Sequence, residues 1–349
     1  MLISTGVWLT VQKLEVYPMS DAKIYFLGVR GSIPAPSCNR IDIAPFNTKE
    51  VGANTSCIYL RTPEGRHHIL DAGSGIRELG FYLGRAEGFR MPDSGEGVEG
   101  KEANLFISHT HWDHIQGLPF FKPAYAKGNK INVYGQTHIT NGLVDSVTRQ
   151  DEEPEVVANK VASYQTNGEG IREVLTRQQD PRTFPAPLNY MVGLGEFNDF
   201  VPGGRVYQDD EMIVNTQLVN HPGGCVSYKF SRTDGGVFVY STDFEPDESN
   251  HDENLVAFWT GANVVYADSQ YEDGSDLIPF VKGWGHSTYK KNIILAAEAG
   301  IDLLVLGHHS PLADDSYLIE MEKRAKAFAR QTRKGLDVIL AREGQFAEF

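Results

Sequence analysis

The chain has 349 residues, is 41% hydrophobic and carries a formal net charge of -14 at pH 7. So acidic a chain is poorly suited to gripping long nucleic acid, which is held largely through Lys and Arg on phosphates, and no apolar run approaches the roughly 20 residues that span a bilayer. Cys38, Cys57 and Cys225 are too few and too far apart for a disulfide framework. They fit a reducing compartment, and a cytoplasmic protein is expected.

Residues 1–20 lack a basic end followed by an apolar block and read as an N-terminal extension, with Met19 a candidate natural start. A single domain is expected over 21–349. Lys23 to Leu27 alternates as a strand, and Gly28-Val29-Arg30-Gly31-Ser32 breaks it. Residues 35–52 read as a surface loop. Cys57–Leu60 and His68–Leu70 read as strands paired about Pro63-Glu64-Gly65, followed by Asp71-Ala72-Gly73-Ser74-Gly75, with Ser74 capping a helix through Leu79. The Gly-rich, charged stretch 84–100 reads as an excursion.

The apolar run Asn104-Leu105-Phe106-Ile107 then leads into Ser108-His109-Thr110-His111-Trp112-Asp113-His114. Three imidazoles and a carboxylate within six residues at a strand end are ligand types that zinc and its neighbours accept. Trp112 is expected to pack beside this loop.

Ile131–Tyr134 is a further strand. The segment 148–204 mixes charged runs, Gly, Pro and apolar islands, and is expected to be a lid or arm that also supplies a dimer contact. A homodimer follows from that reading. Beyond it, Ile213–Val219, Val226–Phe230 and Val237–Tyr240 read as strands, the last two joined by the turn Thr233-Asp234-Gly235-Gly236. Asn254–Thr260 reads as a helix, Val264–Ala267 as a strand, Thr288–Ala299 as an amphipathic helix and Leu303–Leu306 as a core strand. A helix from Asp314 or Asp315 toward Arg330 and a strand Val338–Leu340 close the chain. These patterns establish an α/β class and show no internal repeat.

The pattern His-x-His-x-Asp-His after a strand resembles the signature of the metallo-β-lactamase superfamily, and later segments match it in order: His221 in Asn220-His221-Pro222-Gly223-Gly224, Asp243 after Val239–Thr242, and His308 in Leu306-Gly307-His308-His309-Ser310-Pro311. The resemblance covers roughly residues 23 to 345. It implies an αββα sandwich of two mixed β-sheets flanked by helices. It also implies that His109, His111 and His221 hold one metal, that Asp113, His114 and His308 hold a second, and that Asp243 bridges them. The cofactors expected are two divalent transition metals, zinc first and manganese also accepted by this ligand set. His308 and His309 compete for the last place; the following Ser310-Pro311 favours His308, leaving His309 to face substrate. Asp71 matches the family's Leu-Asp-x-Gly aspartate, which orients the metal loop from behind the ligands.

Gly283-Trp284-Gly285-His286-Ser287-Thr288 resembles the motif of the superfamily's phosphodiesterase branch. His286 is then a catalytic proton donor beside Asp113, and Ser287 and Thr288 are candidates to bind the substrate phosphate at a helix start. Helix capping is the plainer reading of the two hydroxyls. His67, His68, His138 and His251 have no recognisable partner spacing. The segments Gly31-Ser32-Ile33-Pro34, Asn54-Thr55-Ser56-Cys57, Ile69–Gly73 and Ala341-Arg342-Glu343-Gly344 are similar to cyclic-nucleotide phosphodiesterases of this branch. The expected function is hydrolysis of a small anionic 3′,5′-cyclic nucleotide, with partners that include neither long nucleic acid nor a membrane. The alternatives are a tRNA 3′-end endonuclease like ribonuclease Z, a 1,2-cyclic phosphate phosphodiesterase of phosphonate breakdown, and a non-catalytic module that sequesters a cyclic signal.

Overall fold

The computed structural model describes residues 21–38, 45–95, 97–137, 169–246, 252–273 and 278–349. The extension expected over 1–20, the first part of the 148–204 excursion, His138 and His251 lie outside the described residues.

Two seven-stranded sheets face each other. The first runs β14 (Phe346–Glu348), β1 (Lys23–Gly28), β2 (Cys57–Arg61), β3 (His67–Leu70), β4 (Glu102–Phe106), β5 (Lys130–Gln136), β6 (Leu194–Phe200). The second runs β13 (Asp337–Leu340), β12 (Leu303–Gly307), β11 (Val264–Asp268), β10 (Val237–Ser241), β9 (Cys225–Arg232), β8 (Met212–Val219), β7 (Arg205–Gln208). Both obey one scheme. From β14 to β3 and from β7 to β10 the neighbours are antiparallel, and from β3 to β6 and from β10 to β13 they are parallel. Strand β3 in one half thus corresponds to β10 in the other, a relation the sequence does not display.

Burial explains the layering. β1 alternates, turning Ile24 and Phe26 inward, as expected of a strand with two different faces. The central strands β3 and β11 are buried along their whole length, as parallel strands covered on both sides must be. Phe26 meets Tyr266 across the two sheets, and Phe106 meets Tyr228 and Phe230, at ring-centroid separations of 6.1, 5.6 and 5.4 Å. On the outer face of the first sheet lie α1 (Ile76–Ala86), through Ile76, Leu79 and Leu83, and α3 (Ile171–Gln178), through Ile171 and Leu175. The spacing of each set is that of one helical face. Helices α4 (Glu253–Trp259), α6 (Tyr289–Ala299) and α7 (Asp315–Thr332) cover the second sheet. Two short helices, α2 (Trp112–Ile115) and α5 (Ile278–Val281), lie in loops. Among the described residues no helix is long and apolar enough to cross a membrane.

Several local expectations change. Ser74 does not cap α1; the cap residue is Gly75, and the Ser74 hydroxyl instead donates to Asn54 Oδ1 and accepts from Thr55 N. Helix α1 continues through Gly84, where Met91 packs so closely that a Cβ would lie 2.6 Å from its sulfur. Within the excursion, residues 171–178 and 194–200 are α3 and β6, and β6 is hydrogen-bonded to β5 in the first sheet.

Candidate metal centre

The site lies where the C-terminal ends of β3, β4, β8, β10, β11 and β12 converge, the usual position for ligands on such sheets. β4 delivers the metal loop, and Asp71, just past β3, anchors it. The Asp71 carboxylate accepts Ser108 N at 2.7 Å through Oδ1, and through Oδ2 it accepts Ser108 Oγ and Tyr240 OH at 2.8 Å and pairs with His114 Nδ1 at 2.7 Å. Asp71 is fully buried, and these partners meet the demand a buried carboxylate makes.

Two groups of ligand atoms result. His109, His111 and His221 form the first; Asp113, His114, Asp243 and His308 form the second, with ligand atoms in each group within 4.8 Å of one another. Asp243 faces both. Its Oδ2 is 3.7 Å from the Nε2 atoms of His109 and His221, and its Oδ1 is 3.1 Å from those of His114 and His308. Asp113 completes the second group with Oδ2 3.2 Å from His308 Nε2, and Ser32 N donates to the same oxygen at 2.8 Å. Every residue assigned to the metals from the sequence is therefore brought together.

Backbone strain accompanies this convergence. Asp71, Asp243, His308 and Ser32 all have positive φ, at 61°, 46°, 52° and 65°. Non-glycine residues adopt that region at a cost and hold it where surrounding structure imposes it. Asp71 and His308 directly follow a strand and Asp243 follows one a residue later, each turning its side chain toward the cluster, and Ser32 turns its amide toward Asp113.

The donor set fits divalent cations. His221 Nδ1 lies 2.8 Å from the Gly285 carbonyl, which can only accept, so this nitrogen carries the proton and Nε2 is the bare one. His114 Nδ1 is likewise occupied by Asp71, and His308 Nδ1 lies 3.2 Å from Asp268 Oδ2, at ion-pair distance but without hydrogen-bond geometry. The Nε2 atoms of His114 and His308 consequently face each other at 3.3 Å, and His221 Nε2 faces His111 Nδ1 at 2.9 Å. His109 Nε2 is buried without a hydrogen-bond partner. Such convergence of bare nitrogens is satisfied by a shared cation. The charge balance agrees. Burial alone would lower the His308 imidazole, but Asp243 and Asp268 outweigh it and push its pKa up to about 10. Burial would raise the Asp243 carboxyl, yet His308 and His114 hold it well below the usual carboxylate range. The carboxylates demand positive charge here, which a proton supplies when no metal does.

Beside the second group stands His286. Its Nδ1 is 2.7 Å from Asp268 Oδ2, and its ring stacks on His308 at 5.1 Å. Asp268 escaped the sequence reading. It ends β11, is fully buried, and holds both His286 and His308 while accepting Ser287 N at 3.2 Å. With Asp243, His286 and His308 it forms a third close group. The available signal was its position: like Asp71 and Asp243 it is an aspartate closing an apolar strand.

Three assignments are corrected. Ser287 is fully buried and donates to Asn292 Oδ1, so its hydroxyl is spent inside the protein. Thr288 is the cap of α6, accepting Lys291 N and donating to Asp273 Oδ2, the plainer role of such a residue. His309 does not face substrate. It is fully buried with Nε2 on the Ala341 carbonyl at 3.1 Å, because neighbouring side chains leave a strand end in opposite directions. Trp112 also departs from expectation, standing 59% exposed at the rim instead of packing against the loop.

No family model matches the chain. It is 23% identical over 327 residues to ribonuclease Z from Halorubrum lacusprofundi, an alignment spanning 86% of this chain and 91% of that protein. Among solved structures it is similar to the metallo-β-lactamase fold protein YhfI from Bacillus subtilis, with TM-score 0.57 and 16% identity, covering 95% of this chain and all of that one. Unliganded yeast PDE1 superposes with TM-score 0.56 and 16% identity over 95% of this chain and all of that chain.

Proposed function

We propose that this chain, which has the metallo-β-lactamase fold, is a metal-dependent phosphodiesterase. The observation that carries the reading is the orientation of Asp243, one oxygen toward each group of imidazoles, with the outer nitrogens of His114 and His221 already taken by Asp71 and Gly285 and that of His308 facing Asp268 at 3.2 Å. His109, His111 and His221 would hold one divalent metal and Asp113, His114 and His308 the other, with Asp243 between them; zinc suits the nitrogen-rich set and manganese is accepted. Bound there, such metals supply Lewis acidity toward phosphate oxygens and lower the pKa of the water they bind.

The remaining chemistry belongs to the chain. Asp268 fixes His286 through Nδ1, so Nε2 is the nitrogen that hands a proton to the departing oxygen. As that imidazole gains and loses its proton, Asp268 keeps its ring in one orientation. Asp113 acts as a ligand carboxylate held by Ser32 N.

Two substrates are favoured by different observations. The net charge of -14 and the segments similar to cyclic-nucleotide phosphodiesterases favour a small 3′,5′-cyclic nucleotide. The likeness to ribonuclease Z across most of both chains favours cleavage at the 3′ end of a tRNA precursor. We place the cyclic nucleotide first. Assaying zinc- and manganese-loaded protein against cyclic mononucleotides, cyclic dinucleotides, ribose 1,2-cyclic phosphate and a tRNA precursor tests the choice. Turnover of the precursor alone replaces the first reading with the second, and no turnover of any diester overturns both.

A further inference from the structure

We infer that Glu245 is a positioning residue that sets, through one glycine loop, both the ligand nitrogen of His221 and the acid His286. The inference rests on the phosphodiesterase reading for its kinetic part and on geometry alone for its metal-binding part.

Glu245 lies two residues beyond Asp243 on the segment leaving β10. One of its carboxylate oxygens, Oε2, accepts Gly283 N at 2.8 Å and Gly285 N at 3.0 Å, and Oε1 also accepts Gly283 N at 3.1 Å. Its backbone is tied to the residue before His221: Glu245 N donates to Asn220 O at 2.9 Å, and Asn220 Nδ2 donates to Glu245 O at 3.0 Å. The ring closes through Gly285, whose carbonyl accepts His221 Nδ1 at 2.8 Å. From the other end, Asp268 takes His286 Nδ1 and Ser287 N. The segment from Gly283 to Ser287 is therefore suspended between two carboxylates, and it carries the site's acid and the acceptor that orients a ligand.

Apart from the two carboxylates, the loop is held by Trp284 N on the Val281 carbonyl at 3.0 Å, Tyr271 N on the Ser287 carbonyl at 3.2 Å and the stacking of His286 on His308, none of which fixes the Gly285 carbonyl. Gly283 and Gly285 have φ of 82° and 83°, a region glycine enters freely, and glycine also brings the largest conformational freedom to be lost. At Gly285 a side chain is excluded outright, since a Cβ would lie 2.2 Å from His221 Nδ1 and 2.5 Å from Pro222 Cδ. Amide hydrogen bonds to an ionised carboxylate are roughly twice as strong as neutral ones. Without Glu245 the Gly285 carbonyl is free to retreat, His221 loses the partner that fixes its tautomer, and His286 keeps Asp268 and its ring contacts but loses the anchor on its N-terminal side.

The experiment compares full-length Glu245→Ala and Glu245→Gln with the parent. Zinc affinity is read by competition with a chromophoric chelator, and kcat and KM are read on a diester with an alkoxide leaving group and on bis-p-nitrophenyl phosphate. Glu245→Ala should weaken the zinc held by the His109–His111–His221 group by about 10–100-fold, the usual effect of losing a partner behind a ligand. It should lower kcat about tenfold or more on the alkoxide substrate, with little change in KM and a smaller loss on the nitrophenyl substrate. Glu245→Gln should recover a large part of both properties, because one carbonyl oxygen placed where Oε2 stands accepts both amides, though more weakly than a carboxylate. Unchanged zinc affinity and leaving-group dependence in Glu245→Ala, or a glutamine variant no better than alanine, overturns the inference. If Glu245→Ala does not fold, Gly285→Ala, which leaves Glu245 in place but drives the loop off His221, must weaken zinc in the same way; unaltered zinc binding there also overturns it. Parent protein inert toward every diester defeats the phosphodiesterase reading, while the zinc comparison still decides the role of Glu245.

Discussion

Asp71 and Asp243 stand on opposite sides of one imidazole: His114 Nδ1 is 2.7 Å from Asp71 Oδ2, and His114 Nε2 is 3.1 Å from Asp243 Oδ1. The two aspartates occupy corresponding places in the two halves of the fold, each shortly after the strand where antiparallel pairing gives way to parallel, and each at positive φ. One has become an inner member of the cluster and the other its support. Asp71→Asn keeps the shape but puts an amide where Ser108, Tyr240 and His114 all need an acceptor. We expect metal affinity to fall about 10–100-fold with the fold retained. Chelator competition and circular dichroism check this, and undiminished affinity would deny Asp71 its supporting role.

His286 separates phosphodiester chemistry from mere packing. A ribose alkoxide leaves only with a proton, whereas p-nitrophenolate leaves readily without one. His286→Ala should depress hydrolysis of the alkoxide substrate by about 10²–10⁴-fold and that of bis-p-nitrophenyl phosphate far less, with metal content unchanged. Equal losses on both substrates would make His286 a packing or phosphate-positioning residue.

The fold was most legible where sequence signals were redundant. His109 to His114 follow a continuous apolar run, and each parallel core strand reads the same way, so strands and ligands could be placed together. Strands β7 and β14 escaped because an edge strand of three or four half-exposed residues has too short a pattern to show a period. Asp268 escaped because a lone strand-end aspartate has no histidine beside it in sequence; its partners arrive from residues 286 and 308. Ser287 and Thr288 were misassigned because phosphate binding and helix capping ask for the same hydroxyl side chains, and only the position of Asn292 and Asp273 decides between them. The correspondence of the two halves survives in strand pairing alone.

Stability should depend on pH through buried histidines outside the two ligand groups. Burial holds His67 and His68 down to about 4 and His309 to about 3, against an ordinary 6.5. Between pH 6.5 and about 4 the unfolded chain binds protons that the folded chain refuses, so stability falls as pH falls, by up to about 1.4 kcal/mol per pH unit for each group. His68 lies among Phe106, Tyr207 and Phe230. His68→Phe should therefore remove one such increment from the slope, measured by denaturant unfolding at a series of pH values. A slope identical to the parent's would show that His68 titrates normally.

Phe106 ties the sheets together, stacking on Tyr134 at 4.7 Å and meeting Tyr228 and Phe230 edge-on. Phe106→Ala should cost about 3–5 kcal/mol of unfolding free energy, the usual penalty for emptying a buried aromatic site. Urea titration reads this directly, and a loss below about 1 kcal/mol would mean the inter-sheet core refills around the gap.

The central claim is that two groups of ligands sharing Asp243 bind divalent metals and that hydrolysis requires them. Chelator-stripped protein titrated with zinc, with hydrolysis of bis-p-nitrophenyl phosphate followed at each addition, tests it most directly. The account predicts no activity in the stripped protein, recovery that saturates at about two zinc ions per chain, and neither recovery nor full occupancy in Asp243→Ala. Full activity in the stripped protein, or an Asp243→Ala variant that binds and hydrolyses like its parent, would contradict it.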